Sequence, residues 1–248
     1  EDFPGSKSPG LPYKIQGFKT KREVLEAGKL REINKDWQHI GVGKVVHLPD
    51  VCLFARSQIA RFDKNKIRST WGYPIGVYLE EGRFFYPLQD YIKSDEHTLP
   101  IAYGLEMANG GMSFINDKFS SGEKVVVSDW KGFDKTPAPW IVRDAFRILS
   151  ELFDFSRVQD ADGKIWNVKP WKSLRRWKRL VDYFVETPIR TCKGERYLIT
   201  GGVPSGSCFT NIIDSVINMI VTRWLVYNTS GDFPTNEIYL GDDGVFSV

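Results

Sequence analysis

The stretch Tyr239-Leu240-Gly241-Asp242-Asp243-Gly244-Val245-Phe246 constrains this chain more than any other. Apolar residues flank a Gly-Asp-Asp-Gly core, and Gly and Asp accept turn dihedrals that β-branched and aromatic residues resist, so the spacing predicts two short strands joined by a tight turn. Two carboxylates then stand side by side at a hairpin tip. A second acidic cluster, Asp129-Trp130-Lys131-Gly132-Phe133-Asp134, follows the apolar run Val125-Val126-Val127 and sits at the C-terminal end of a predicted strand. With the two strands as neighbours in one sheet, Asp129 is expected to face Asp242. Carboxylates converging in this way repel unless cations lie between them, and hard oxygen ligands suit Mg²⁺ or Mn²⁺. Two such ions, roughly 3.5–4 Å apart, are the usual apparatus of in-line phosphoryl transfer. Each half alone could be no more than a surface turn or a helix N-cap.

The segment between them changes the weighing. Gly202-Val203-Pro204-Ser205-Gly206 is a loop opening onto a predicted helix on which Thr210, Asp214 and Asn218 recur every four residues and so share one face. The order Asp-x4-Asp, Ser-Gly-x3-Thr, Gly-Asp-Asp resembles the RNA-dependent RNA polymerases of double-stranded RNA viruses, in particular the partitivirus-like group, and the resemblance extends over nearly the whole chain.

Composition sets outer limits. The chain has 248 residues, 42% of them hydrophobic and 14% aromatic, enough for a substantial core, in one large domain or two small ones. A net charge of +3 is too mild to announce a nucleic-acid partner by itself. Cys52, Cys192 and Cys208 are widely spaced and odd in number, which argues for packing residues in a reducing compartment rather than a disulfide framework or zinc site. The longest apolar stretch, Ile212 to Tyr227, is interrupted by Asp214, Asn218 and Arg223, so neither a membrane span nor a signal peptide is expected, and the protein is expected to be soluble and intracellular.

Near the start, Ser8-Pro9-Gly10-Leu11-Pro12 reads from residue types as a rigid surface loop. The resemblance implies instead a template-guiding motif, with Ser8, Gly10 and Pro12 as its residues. Further on, Lys64, Lys66 and Arg68 alternate, so on an extended segment they project to one side. That row is a solvated strand face or a grip for a nucleoside triphosphate, because Arg forks and Lys point charges neutralise phosphates. The family's basic fingers motif, followed here by Trp71-Gly72-Tyr73-Pro74, implies the second, with Arg68 as the first contact.

Helical spacing of Ile141, Ala145, Ile148, Leu149 and Leu152 predicts a packing helix after Thr136-Pro137. Turns at Asp162-Gly163 and Lys193-Gly194 predict two hairpins. Trp171, Leu174, Trp177, Val181 and Phe184 form a stripe expected to be core, while Lys172, Arg175, Arg176, Lys178 and Arg179 cover the remaining surface, either as a plain solvated face or as a patch tracking an RNA backbone.

The expected architecture is α+β, an antiparallel palm sheet backed by helices, and by resemblance the right-hand polymerase fold. Residues 1–123 would be fingers, 124–158 palm with the first acidic motif, 159–195 a return to the fingers, and 196–248 palm again. The resemblance implies that Asp129 and Asp242 hold two Mg²⁺ or Mn²⁺ ions with Asp243 as auxiliary ligand. It implies that Asp134, Ser205 and Thr210 line the ribose pocket, that either Asp214 or Asn218 senses the 2′-hydroxyl, and that Gly206 lets the loop move. Relatives in other virus groups often carry Asn at the position of Asp214 and Ser at that of Gly244.

The partners implied are RNA template and product, ribonucleoside triphosphates and a viral capsid protein, with no membrane, in the host cytoplasm within a virion or replication particle. The chain stops five residues after Asp243, so the family's following palm strands, its pyrophosphate-protonating lysine and its thumb are expected to be missing, and this piece alone is expected to be inactive. The alternatives are a polymerase-derived RNA-binding piece without activity, or another palm-type enzyme. Gly241 and the Asp134/Ser205 pair argue against a reverse transcriptase, and the Ser-Gly loop argues against a nucleotidyl cyclase.

Overall fold

The computed structural model describes residues 3–59, 61–63, 67–94, 99–121, 124–160 and 162–248. In chain order the elements are α1 (Lys21–Glu26), α2 (Leu30–Gly41), β1 (Val51–Ser57), β2 (Ile67–Gly72), α3 (Ile75–Ser94), α4 (Gly111–Lys118), β3 (Val125–Asp129), α5 (Pro139–Ser150), β4 (Arg157–Gln159), β5 (Ile165–Asn167), α6 (Pro170–Val185), β6 (Glu186–Arg190), β7 (Arg196–Thr200), α7 (Thr210–Ser230), β8 (Glu237–Leu240) and β9 (Asp243–Ser247). The α+β expectation holds, and the strands and helices predicted from turn chemistry and periodicity are present. The chain divides into two compact units.

The first unit takes residues 1–83, 149–200 and 204–208. Its sheet has the order β2-β1-β6-β7, antiparallel except for the parallel β1–β6 pair. Helices α2 and α6 pack together, and the core holds Trp37, Tyr183 and Phe184, each about 1% exposed. The Tyr183 hydroxyl donates to the Pro49 carbonyl at 2.6 Å, and Asp50 accepts from Arg190 and Arg196 at 2.8 and 3.0 Å, which fixes the entry to β1.

Two expectations about α6 fail. Trp171 and Leu174, expected in the core, are each 46% exposed. They lie in the first turns, where the Lys172 amine and the Arg175 guanidinium sit over the Trp171 ring at 5.5 and 5.0 Å. Only the later part of the stripe, Trp177, Val181 and Phe184, is buried. Conversely Arg176, expected on the surface, is buried, and its guanidinium meets the buried Glu80 carboxylate at 2.5 Å. A buried arginine requires such a partner. Cys192, expected to pack, is exposed because it lies in the β6–β7 turn.

The second unit takes residues 84–148, 201–203 and 209–248. Its sheet has the order β3-β9-β8, antiparallel throughout. Helix α7 runs against β8 and β9 and buries Ile212, Ile213, Val216 and Ile217. Phe209, at the start of that helix, makes edge contacts with Phe85 and Phe146 at 5.5 and 5.4 Å. No helix among the described residues is long and apolar enough to cross a membrane.

Candidate active site

The acidic end of the three-stranded sheet is built by register. Strand β3 pairs with β9 from Val125 opposite Ser247 to Asp129 opposite Asp243. Leu240 opposite Asp243 closes the β8–β9 hairpin, so Gly241 and Asp242 are its two-residue turn. The residue directly across from Asp129 is therefore Asp243, not Asp242 as expected, because a two-residue turn takes Asp242 out of the ladder. Gly241 has φ +65, a left-handed conformation suited to glycine. Gly244, where Ser was the common alternative, is crowded by side chains: a Cβ there would lie 2.9 Å from Ser128 Oγ and 3.0 Å from the Tyr239 ring, so the serine would have to turn away.

Asp129, Asp242 and Asp243 are all exposed. Partial desolvation, then the charges of Asp242 and Asp129, raise the Asp243 carboxyl above the ordinary range. Asp214, one helical turn beyond Thr210 on α7, is raised to about 8 by burial and by the charges of Asp242 and Asp134. Its Oδ1 is buried and has no hydrogen-bond partner among the described residues. Five carboxylates of one unit thus act on one another.

Asn218, the other residue considered for sugar sensing, is fully buried. Its Nδ2 donates to the carbonyls of Gly241 and Asp243, both at 3.2 Å, and its Oδ1 accepts from Trp130 Nε1 at 3.0 Å and Thr222 Oγ1 at 3.2 Å. Two donors and two lone pairs exhaust an amide, so Asn218 has nothing left for a ligand.

Asp134 is exposed in a short 3₁₀ turn just after Trp130, whose ring meets the buried Phe133 ring edge-on at 5.5 Å. Its backbone carbonyl accepts from Val203 N at 2.9 Å, and Gly202 N donates to the Pro137 carbonyl at 2.8 Å. A Cβ on Gly202 would lie 2.7 Å from that same Asp134 oxygen. The segment leading towards the Ser-Gly loop is therefore sewn to the Asp134 turn.

The loop itself, residues 204–208, belongs to the other unit. Ser205 is exposed. Gly206 is fixed by close approach: a Cβ there would stand 2.6 Å from the Trp71 carbonyl oxygen. Next to it, the fully buried Glu81 carboxylate accepts from Ser207 Oγ at 2.8 Å and Cys208 N at 2.9 Å. Burial pushes Glu81 up to about 7, against the lowering effect of these hydrogen bonds. Lys21, lowered to about 8 chiefly by burial, places its amine 3.2 Å from the Tyr78 ring centre.

In the same unit the Ser8 loop is docked on the segment after β2. Gly10 N donates to Ser8 Oγ at 3.4 Å, Ile75 N donates to the Pro9 carbonyl at 2.8 Å, and a Cβ on Gly10 would collide with the Tyr73 carbonyl at 2.5 Å. Pro12 is exposed. Arg68 is exposed on β2, directly opposite Arg56 on β1. Lys64 and Lys66 lie outside the described residues.

The candidates thus fall into two sets: Asp129, Asp134, Thr210, Asp214, Asn218, Asp242 and Asp243 in one unit, and Ser8, Gly10, Pro12, Arg68, Ser205 and Gly206 in the other. Residues that matter and that the sequence did not single out are Arg56, Glu81, Trp130 and Ser215. Only Arg56 left a signal, a basic residue at the far end of the strand preceding the basic row.

A family model described as viral RNA-dependent RNA polymerase matches residues 1–248. The RNA-directed RNA polymerase of Cryptosporidium parvum virus 1 is 28% identical over 251 residues, covering 97% of this chain and 43% of the relative. That of White clover cryptic virus 1 is 25% identical over 173 residues, covering 64% of this chain and 28% of the relative. The chain thus spans less than half the length of these curated relatives. The RNA-dependent RNA polymerase of a human picorbirnavirus superposes with a TM-score of 0.72 at 18% identity, over 99% of this chain and 44% of that one. The sicinivirus 3Dpol enzyme superposes with a TM-score of 0.71 at 17% identity, over 100% of this chain and 51% of that one. The chain has their fold.

Proposed function

We propose that this chain, which belongs to the viral RNA-dependent RNA polymerase family, carries the nucleotide-adding centre of an enzyme that copies RNA into RNA for a double-stranded RNA virus. The observation that carries this reading is the convergence of Asp129, Asp243 and the Asp242 turn at one end of the sheet, with Asp214 near enough to Asp242 and to Asp134 to feel the charge of both.

The donors fit hard divalent cations. Mutually repelling carboxylates are the charge pattern that Mg²⁺ or Mn²⁺ neutralises. Mg²⁺ is commonly held by one or two carboxylates together with substrate phosphates and water rather than by an all-protein cage. Among the described residues no group of three or more His, Cys, Asp or Glu side chains is gathered for a metal ion. Asp129 and Asp242 would hold two ions, with Asp243 as auxiliary ligand. When bound, the ions supply activation of the attacking 3′-hydroxyl and neutralisation of the leaving pyrophosphate.

The chain's own residues do the rest by positioning. Asp134, Thr210 and Asp214 read the ribose, Asp214 in preference to Asn218 because its Oδ1 is buried and unpaired. Arg68, with Arg56 opposite, grips the triphosphate. The Ser8, Gly10 and Pro12 loop steers the template. Partners are then template and product RNA, ribonucleoside triphosphates and a capsid protein, in a particle in the host cytoplasm.

In a full-length polymerase carrying this sequence, Asp242→Asn is expected to abolish labelled-ribonucleotide incorporation while leaving RNA affinity in filter binding unchanged. An active variant, or loss of RNA binding with loss of activity, overturns the assignment.

A further inference from the structure

We infer that Asn218 and Ser215 are positioning residues that clasp the Gly241-Asp242 turn and tie it to the Trp130 turn after Asp129, and so set the divalent-cation affinity of the acidic site. The inference rests on the reading of those carboxylates as ion ligands and concerns groups that touch neither ion nor substrate.

A two-residue turn with an exposed aspartate has little of its own to hold it. Here α7 grips the Gly241 peptide from both sides. Ser215 Oγ accepts from Gly241 N at 2.8 Å while donating to the Asn211 carbonyl at 2.8 Å. Asn218 Nδ2 takes the Gly241 carbonyl and, with its second hydrogen, the Asp243 carbonyl, so Asp242 lies between two bonded carbonyls. The amide's other end receives the Trp130 indole N–H, and Trp130 follows Asp129 directly. A single side chain thereby spans both acidic segments, and Thr222, one turn along the helix, fills its last lone pair.

The chemistry is specific to an amide. Aspartate at 218 has the same shape but cannot donate to two carbonyls, and leucine would leave the Gly241 and Asp243 carbonyls and the Trp130 indole N–H without this partner, the first of them at a buried bond. Ser215 and Asn218 are themselves 0% exposed, so they have no solvent to fall back on. Groups that orient metal ligands from behind typically cost about 10–100-fold in metal affinity or activity when removed.

The test uses the full-length polymerase without nucleotide, with Mn²⁺ binding followed by the loss of the free-ion electron paramagnetic resonance signal and thermal melting run in parallel. Asn218→Asp is the direct variant. Because it can fail to fold, Ser215→Ala and Trp130→Phe each remove one arm of the clasp and keep the bulk of the packing. Each single-arm variant is expected to remain folded and to bind Mn²⁺ about tenfold more weakly, with kcat reduced and the nucleotide KM nearly unchanged. Asp242→Asn is the reference that loses the ion. If Asp242→Asn binds Mn²⁺ like the wild type, the functional reading fails and the inference with it. If Asp242→Asn loses the ion while Ser215→Ala and Trp130→Phe melt earlier but bind it normally, the clasp serves stability only and the inference alone is overturned.

Discussion

Two buried polar side chains each hold one candidate segment, the Gly241-Asp242 turn and the Ser-Gly loop, and they do so with opposite chemistry. Asn218 fixes the acidic turn as a neutral amide with all four of its hydrogen-bonding capacities in use. Glu81 fixes the Ser-Gly loop as an ionisable group that receives one hydroxyl and one backbone N–H and is pushed up to about 7 by burial. A neutral, saturated hub carries no proton of its own to gain or lose, so its hold on the turn does not depend on its own titration. A buried carboxylate makes stronger hydrogen bonds when ionised but carries a desolvation penalty, so its grip depends on its proton. The loop bearing Ser205 is held by the adjustable anchor.

The sharpest way to break this contrast is Glu81→Gln. Burial raises the folded-state pKa of Glu81 from 4.5 to about 7, so the folded protein binds more protons than the unfolded chain between those values. Stability from this group is therefore present at low pH, falls as pH rises through that window, and is level above it. The whole change amounts to about 3 kcal/mol. The groups facing Glu81 are Tyr73, Ser207, Cys208 and Lys21, and Lys21 titrates higher, at about 8. The melting-temperature difference between wild type and Glu81→Gln is expected to shrink from pH 4.5 to 7. Trp130→Phe, on the Asn218 side, is expected to add no slope. A flat difference for Glu81→Gln would remove the distinction between the two anchors.

Steric tolerance gives a second, smaller contrast. Gly206 is hemmed in by strand backbone, where an added methyl would stand 2.6 Å from the Trp71 carbonyl, whereas Gly244 is crowded by the side chains of Ser128 and Tyr239 at 2.9 and 3.0 Å. Backbone within a sheet yields less readily than a serine rotamer. Gly206→Ala is expected to cost about 2 kcal/mol and Gly244→Ala less, read as melting temperatures. The reverse order would mean that the loop has the slack expected of a flexible glycine and that the hairpin does not.

What the sequence made legible is what local chemistry controls. Turn residues between apolar runs marked the β8–β9 hairpin, the period of four marked the polar face of α7, and the order of motifs marked the family. Register was missed by one residue, because which of two adjacent aspartates enters a two-residue turn depends on the pairing that closes it. The anchors were missed for a different reason. Glu80-Glu81 reads as a solvated acidic pair, and only the fold brings Arg176 to the first and Ser207 to the second. Trp130 and Asn218 are likewise 88 residues apart. Arg176 lies in a basic run with nothing local to set it apart from Arg175, which stays on the surface over Trp171.

The smallest expected effect concerns a place with no buried anchor at all. Arg56 and Arg68 are exposed and directly opposed across β1 and β2, and like charges facing each other across an antiparallel pair oppose it rather than support it. Such a pair is reconciled by an anion long enough to meet both, and a triphosphate offers that charge over several atoms. Either Arg56→Ala or Arg68→Ala in the full-length polymerase is expected to raise the nucleotide KM about tenfold, as for loss of one charge-assisted contact. In both variants kcat and melting temperature should stay near wild type, and inhibition by inorganic tripolyphosphate should weaken in parallel. Added salt should narrow the difference, since exposed charges are screened where the two buried anchors are not. If Arg56→Ala leaves KM and tripolyphosphate inhibition untouched while Arg68→Ala changes both, the register pairing has no functional meaning and the grip belongs to β2 alone.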